Sequence, residues 1–269
     1  MAQEGSEFEL ILVDDCSSQP GESIINGFRD LRIHFERNTH NLGIPASWNR
    51  CLEIARGEYV TIFHQDDIML PGYLSLAAAV LDANPSVGLV YTNIQRIDAE
   101  GKVIGGHYLS QPDRDLVMPG WELYHMVAAI GNPIACQTVM ARRSCYKQVG
   151  CFDERLKYAT DSEMWMRIAS EYDFAYISQP LVHLRVHADQ ETMHFANLGR
   201  DYEDTLQAYV ITYSRKLSPQ YEQFRVKTFR TLFYQSLGMG RWMMRKGEIQ
   251  PAARYYWVSV IALLQSLHH

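Results

Sequence analysis

The stretch Gly57-Glu58-Tyr59-Val60-Thr61-Ile62-Phe63-His64-Gln65-Asp66-Asp67 reads as a strand that ends on two carboxylates. Residues 58–63 alternate and are rich in β-branched and aromatic side chains, which favours extended backbone. Pro71-Gly72 then breaks the chain ahead of an apolar, Ala-rich run at 73–81, so Asp66 and Asp67 fall in a strand-to-helix connection. Ligands of open α/β sheets bind just outside the carboxyl ends of strands. Adjacent like charges there repel. A hard divalent cation relieves that cost through oxygen ligands and bridges carboxylates to substrate phosphates. On the dyad alone a second reading stands equally: a helix-capping Asp beside a solvated one.

Around this stretch the first half alternates short strand-like and helix-like runs, the signature of βαβ units and a mostly parallel sheet flanked by helices. Expected strands are 8–13, 32–36, 58–63 and 88–91, with helices at 21–30, 45–56 and 73–84. A hairpin is expected over 93–104, helices at 121–130 and 162–172, and extended backbone at 134–141, 174–177 and 181–186. From about Gly199 apolar residues recur at helical spacing, and carboxylates become scarce after Glu222. The expectation is an α/β domain over 1–198 and an all-helical extension over 199–269, broken near Ser218-Pro219 and Lys246-Gly247. That extension either packs on the domain or mediates oligomerisation.

At 269 residues, with 47% hydrophobic and 21% charged content, the chain is able to bury a full core. Its net charge of −6 argues against a general nucleic-acid binder, which needs a basic face to displace counterions. Five cysteines, an odd number with no C-x-x-C pair, fit free thiols in a reducing compartment. The early apolar run at 10–13 is far too short for a signal peptide or a membrane span. A soluble, cytoplasmic protein is the expectation.

Other polar clusters are individually ambiguous. Asp14-Asp15-Cys16-Ser17 follows the first strand and suits either a nucleoside contact or a helix cap. Asn41-Leu42-Gly43 suits a turn into a helix. The ordered combination says more: Asp-Asp-x-Ser after a strand, Asn-x-Gly before a helix, strand-x-Asp66-Asp67, Gly150-Cys-Phe-Asp153-Glu154, Thr160-Asp161 with Trp165-x-Arg167, and Leu184-Arg185-x-His187. Over roughly residues 8–190 this order resembles the family 2 glycosyltransferases, inverting enzymes with the GT-A fold.

The resemblance implies site roles. Asp15, and with it Asp14, would contact the nucleoside of a sugar donor; Asp66-Asp67 stands at the family's Asp-x-Asp-type motif, with Asp67 as direct metal ligand and Asp66 on the donor side. Asp161 occupies the place of the catalytic base. Arg185 and His187 match a late Arg-x-His element near the donor phosphates, with His187 a metal or phosphate ligand. Trp165 and Arg167 are expected to be structural, and His64 to shape the pocket. The implied cofactor is Mn²⁺ or Mg²⁺, the donor a UDP- or other nucleotide sugar, and the acceptor a glycan or lipid-linked hydroxyl. Peripheral association with the inner face of a membrane would follow from such an acceptor.

Two departures from the family pattern stand out. Relatives begin with a strand and turn of the type Val-Ser-Val-Ile-Ile-Pro-Thr-Tyr-Asn, whereas only residues 1–7 precede the first strand here, which implies a missing central strand. Where many relatives carry Ala-Arg-Asn, this chain has Ser47-Trp48-Asn49, and Arg50 is the nearest basic group. The leading expectation is therefore a metal-dependent transferase of surface-glycan biosynthesis. The alternative is a truncated, inactive remnant acting as a binding protein. A nucleotidyltransferase is disfavoured because no Gly-rich phosphate loop follows the first strand. The loops at 108–120 and around Asn132 are expected to face the acceptor.

Overall fold

The computed structural model describes residues 3, 7–19, 21–25, 27–107, 109, 111–187 and 190–267. Most of the segment 1–7, Asn26 of the first expected helix, and Tyr108 and Ser110 of the expected acceptor loop lie outside them. The chain opens with β1 (Leu10–Asp14), a four-residue α1 (Glu22–Ile25) and β2 (Ile33–Arg37), followed by α2 (Ile44–Ile54). Pro45 sits in the first turn of α2, where its missing N–H costs nothing. The deciding stretch forms only a short β3 (Tyr59–Val60); irregular backbone then carries Asp66-Asp67 into β4 (Ile68–Met69) and α3 (Tyr73–Ala83).

The centre of the molecule is a pair of long, buried strands, β5 (Val87–Ile97) and β9 (Asp173–Arg185). They run parallel, with Val90 beside Ala175 and Ile97 beside Arg185. Two separate strands are expected over 174–186, yet β9 is continuous, with a register irregularity opposite Asn93 next to Pro180. Between these strands lie β6 (Val103–Gly105), β7 (Leu116–Met118), α4 (Gly120–Ile130), β8 (Val139–Arg142), α5 (Arg143–Val149) and α6 (Thr160–Ala169). Seven strands join in the order β3-β8-β5-β9-β4, with β6 on β5 and β7 on β9; β1 and β2 form a separate parallel pair.

The expectation of a mostly parallel sheet needs correction. Among the described residues only β1–β2 and β5–β9 are parallel, while the other five pairings are antiparallel. Short returns such as the turn at 98–102 can only fold a strand back antiparallel, since parallel neighbours need a long crossover. The fold is a mixed α/β sheet flanked by helices. Among the described residues no strand pairing links β1 to β3; the two sheets meet through α2 and through Glu9, whose carboxylate accepts the N–H groups of Arg56 (2.6 Å) and Gly57 (3.0 Å).

Alternation along β5 divides the core. Val87, Val90 and Ile94 pack under Tyr73, Ala77 and Leu81 of α3. Leu89 and Tyr91 face the opposite layer, with Leu123, Tyr124 and Val127 of α4 and Trp165 and Ile168 of α6. After α7 (Glu191–Asn197), the same layer includes residues of the C-terminal helices α8 (Asp201–Ser214), α9 (Pro219–Glu222), α10 (Arg225–Arg245) and α11 (Ile249–Gln265). Leu206, Tyr209, Tyr213, Phe229, Leu232 and Val258 are buried within it. The helices after 199 therefore complete the main core instead of standing beside it.

Candidate active site

The carboxyl dyad sits where the end of β9 passes the segment after β3. The backbone N–H of Arg185 donates to Asp67 Oδ1 (2.8 Å), and the Arg185 guanidinium donates to the carbonyls of Asp66 (2.9 Å), Asp98 (3.0 Å) and Ala99 (2.8 Å). Arg185 thus clamps the dyad loop to the β5–β6 turn, and its charge is spent on backbone carbonyls. The Asp67 side chain is only 2% exposed. Burial raises its pKa to about 6; the neighbouring Asp66 charge adds to the rise, and hydrogen bonds from Arg185 and Gln137 oppose it.

His64, Asp66 and Asp67 offer one ligand atom each within 4.8 Å of one another. His64 Nε2 is buried without a partner among the described residues, and burial holds the imidazole pKa below its ordinary value. A neutral imidazole beside two carboxylates is a donor set that suits a divalent cation. His187, expected as a metal ligand, reaches Asp66 Oδ2 at 3.2 Å but lies outside that three-residue group. His64 takes its place there. The missed signal was its position two residues before the dyad, on the strand extension that carries both carboxylates.

Trp48, the residue that departs from the family pattern, stacks on His64 (centroids 5.7 Å apart, 21° between planes) and meets Phe152 edge-on at 5.1 Å. Asn49 beside it is tied to the Phe152 backbone in both directions, at 2.8 and 3.0 Å. The nearby basic residue is not turned to the site: Arg50 is bound by Glu36 (2.7 Å) and Glu53 (2.9 Å).

Asp15 is engaged on both oxygens. It accepts from Asn38 Nδ2, Leu42 N and Gly43 N, each at 2.8 Å. Burial alone would raise its pKa, but these donors hold it below the ordinary value. Asp15 shapes the turn that delivers Gly43, at φ 88°, to the start of α2. Asp14 accepts from Ser17 N at 2.8 Å and faces Arg37 at 3.6 Å, and its pKa is lowered chiefly by the Ser17 hydrogen bonds. Its second oxygen is buried without a hydrogen-bond partner among the described residues.

Asp161 is the second residue of α6, with Oδ1 accepting the Ser162 N–H at 2.7 Å. Burial pushes its pKa up to about 7, and Asp204 raises it further. Cys136 connects it to the dyad: its buried thiol titrates high mainly through burial, and also through the charges of Asp161 and Asp67. Both carboxylates therefore lie close enough for their charges to bear on Cys136.

The loop entering α6 is held from the C-terminal helices. Asp204 of α8 accepts the N–H groups of Lys157 (2.9 Å), Tyr158 (2.7 Å) and Ala159 (2.8 Å). Sequence reading missed this residue, because nothing local distinguishes it from an ordinary first-turn helix acid. Behind Asp161 the fully buried Glu163 pairs with Arg167 and with Arg215 Nη2 at 3.2 Å, and Arg167 also donates to the carbonyls of Val149 and Cys151 at 2.9 Å each. Arg167 and the buried Trp165 are structural, as expected.

The family model for glycosyl transferase family 2 matches residues 1–150. The chain belongs to glycosyl transferase family 2. It is 28% identical over 180 residues to an uncharacterized glycosyltransferase of Methanocaldococcus jannaschii, covering 66% of this chain and 59% of that one. It is also 28% identical over 178 residues to the putative colanic acid biosynthesis glycosyl transferase WcaA of Escherichia coli, covering 64% and 59%. The chain thus spans about three fifths of the length of these relatives. Among solved structures it is similar to the mannosyltransferase PcManGT of Pyrobaculum calidifontis, in complex with GDP-Man and Mn²⁺, at a TM-score of 0.58 and 16% identity over 97% of this chain and 79% of that one. It is similar also to Staphylococcus aureus TarS, residues 1–349, at 0.55 and 17% over 96% and 83%. These neighbours share the GT-A fold with this family 2 member.

Proposed function

We propose that this protein transfers a sugar from a nucleoside-diphosphate donor to an acceptor hydroxyl with inversion, with help from a divalent metal, in the synthesis of a surface glycan. The observation that carries the reading is the His64–Asp66–Asp67 cluster, with Asp67 buried, together with a second carboxylate, Asp161, whose charge bears on Cys136 as that of Asp67 does. His64, Asp66 and Asp67 would hold a Mn²⁺ or Mg²⁺ ion. That ion supplies positive charge to the departing diphosphate. His187, hydrogen-bonded to Asp66, adds a basic group on the same side. Asp161, with a pKa near neutrality, removes the acceptor proton as the new bond forms. A single base on the face opposite the leaving group gives inversion. Asp14 and Asp15 act in the donor pocket, Asp15 by holding the 38–43 turn.

The colanic acid and mannosyltransferase likenesses support a sugar-nucleotide donor. The inactive-remnant reading draws on the unlinked β1–β2 pair. One experiment separates the two. Thermal melts with UDP or GDP, with and without Mn²⁺, should show a metal-dependent rise that Asp67→Asn removes, since a ligand of the native state stabilises it by mass action. A cooperative melt that no nucleotide shifts would sink the transferase reading.

A further inference from the structure

The last helical hairpin presents a surface that water alone does not explain. Along α11 and just beyond it the exposed residues include Ile249, Trp257, Val260, Leu263, Leu264 and Leu267, with Trp257 54% and Leu267 66% exposed. Ala253 and Gln250 are exposed as well, and Arg254, which pairs with Glu203, keeps part of its side chain in solvent. The opposite side, Ala252, Tyr255, Val258 and Ala262, is already buried against the protein. A helix with large apolar residues exposed as well as buried calls for a second covering. α11 has 17 residues, about 25 Å at 1.5 Å per residue. No helix among the described residues is long and apolar enough to cross a membrane.

Its partner helix supplies charge. α10 and α11 are joined by the short turn at 246–248 and pack closely: a Cβ at Gly240 would come within 2.9 Å of the Tyr256 ring. The stretch 223–267 carries seven Lys and Arg and a single carboxylate, Glu248, in a chain whose net charge is −6. Arg225 and Arg254 pair with Glu222 and Glu203. Lys227, Arg230, Arg241, Arg245 and Lys246 are exposed on α10 or just beyond it, among the exposed aromatics Tyr234 and Trp242. Lys246 lies 3.6 Å from the Trp242 ring centroid.

We infer that the α10–α11 hairpin seats this protein on an anionic lipid surface, with the α11 face in the headgroup–acyl boundary and the α10 cations against the headgroups. Apolar and aromatic residues flanked by Lys and Arg, with almost no carboxylate, match the chemistry of interfacial helices. A second copy of the chain fits less well. An isologous contact through this face would bring the same five cations together, with Glu248 the single carboxylate of the hairpin to offset them. The inference is independent of glycosyl transfer and deepens it only by naming where an acceptor would be met. Trp257 also lines a groove of about 810 Å³ with Phe195, Leu198 and Val210, and Lys157 and Asp204 border the same groove. The seated face thus adjoins the segment that enters α6.

The test is co-sedimentation of the full chain with vesicles of phosphatidylcholine alone or mixed with phosphatidylglycerol, at low and high salt, with no activity read. Binding confined to the anionic vesicles and weakened by salt supports the inference. Trp257→Glu/Leu264→Glu should cut that binding tenfold or more, to roughly the background level. Arg241→Gln/Arg245→Gln/Lys246→Gln should lower it by about two orders of magnitude and leave the apolar face intact. All five positions are exposed, so unchanged melting confirms that the variants fold. Absence of binding to either vesicle overturns the inference. So does a dimer that Trp257→Glu/Leu264→Glu dissolves in a chain that ignores vesicles, because the face would then be a contact between copies.

Discussion

Replacing Asp161 with Asn separates a catalytic carboxylate from a structural one, because the two roles predict opposite changes in stability. The carboxyl titrates near 7 in the folded protein, chiefly through burial, against an ordinary 3.8. A raised carboxyl pKa makes ionisation cost more in the native state than in the unfolded chain. The native state therefore has its full stability below about pH 4. It loses about 1.4 kcal/mol per pH unit from there to about pH 7, and the loss is level above that. The full span is at most about 4 kcal/mol, and the residue's partial exposure reduces it toward about 1–2 kcal/mol. Asn cannot ionise, and its Oδ1 can still accept the Ser162 N–H. Asp161→Asn should thus gain stability over the parent at pH 8 and almost none at pH 4, as read by urea denaturation at both values. Donor consumption with Mn²⁺ should fall by about two orders of magnitude or more, and the parent's rate should rise with pH through about 7. A variant less stable than the parent at pH 8, or one that keeps full activity, would refute the reasoning and leave Asp161 as a helix-capping residue.

Three further perturbations test other parts of the site. Asp67→Asn should abolish transfer and the Mn²⁺-dependent melting shift while leaving the apo melt intact or raised, since it removes a carboxyl whose pKa burial lifts to about 6. Asp204→Ala strands three N–H groups ahead of α6 and should lower stability by about 2–4 kcal/mol in chemical denaturation; Asp204→Asn should recover part of it, and kcat should fall more than the donor KM rises. Glu163→Gln leaves Arg167 and Arg215 without their carboxylate and should cost about 3 kcal/mol by the same measurement, a loss of fold more than of chemistry.

Legibility in the sequence followed the range of the interactions. The strands 8–13 and 32–36 and the helices 45–56 and 73–84 rest on local periodicity, and they formed within a few residues of expectation. The dyad's position after β3 was legible for the same reason. Strand sense was not, because it depends on how far the chain travels before it returns. The Arg185 clamp joins residues 118 positions apart, and the Asp204 carboxylate reaches back 45 to 47 positions. No periodicity encodes either. The grouping of His64 with the dyad was not legible, because it depends on how the backbone after β3 turns the imidazole toward the two carboxylates. Asp15 was legible as important, but its use on the 38–43 turn depends on backbone N–H directions that only the folded loop fixes.

The C-terminal helices carry a consequence for the chemistry. Asp204 alone among the carboxylates of α8 spends one oxygen on three successive N–H groups, and those groups belong to the segment that sets where α6 begins. Asp161 is the second residue of α6, so its position follows from that anchor. The same helix, α8, supports α10 and α11 through the shared core, where Tyr209 meets Phe229 edge-on at 6.4 Å. A displacement of the hairpin would therefore reach Asp161 through packed side chains, one carboxylate and the short 157–159 segment that it holds. Seating on lipid would then fix the placement of Asp161 as well as the location of the protein. On this account Asp204→Ala should weaken the dependence of turnover on anionic vesicles without changing vesicle binding. A variant that keeps both, or loses both, would show that the hairpin and the base are not coupled through Asp204.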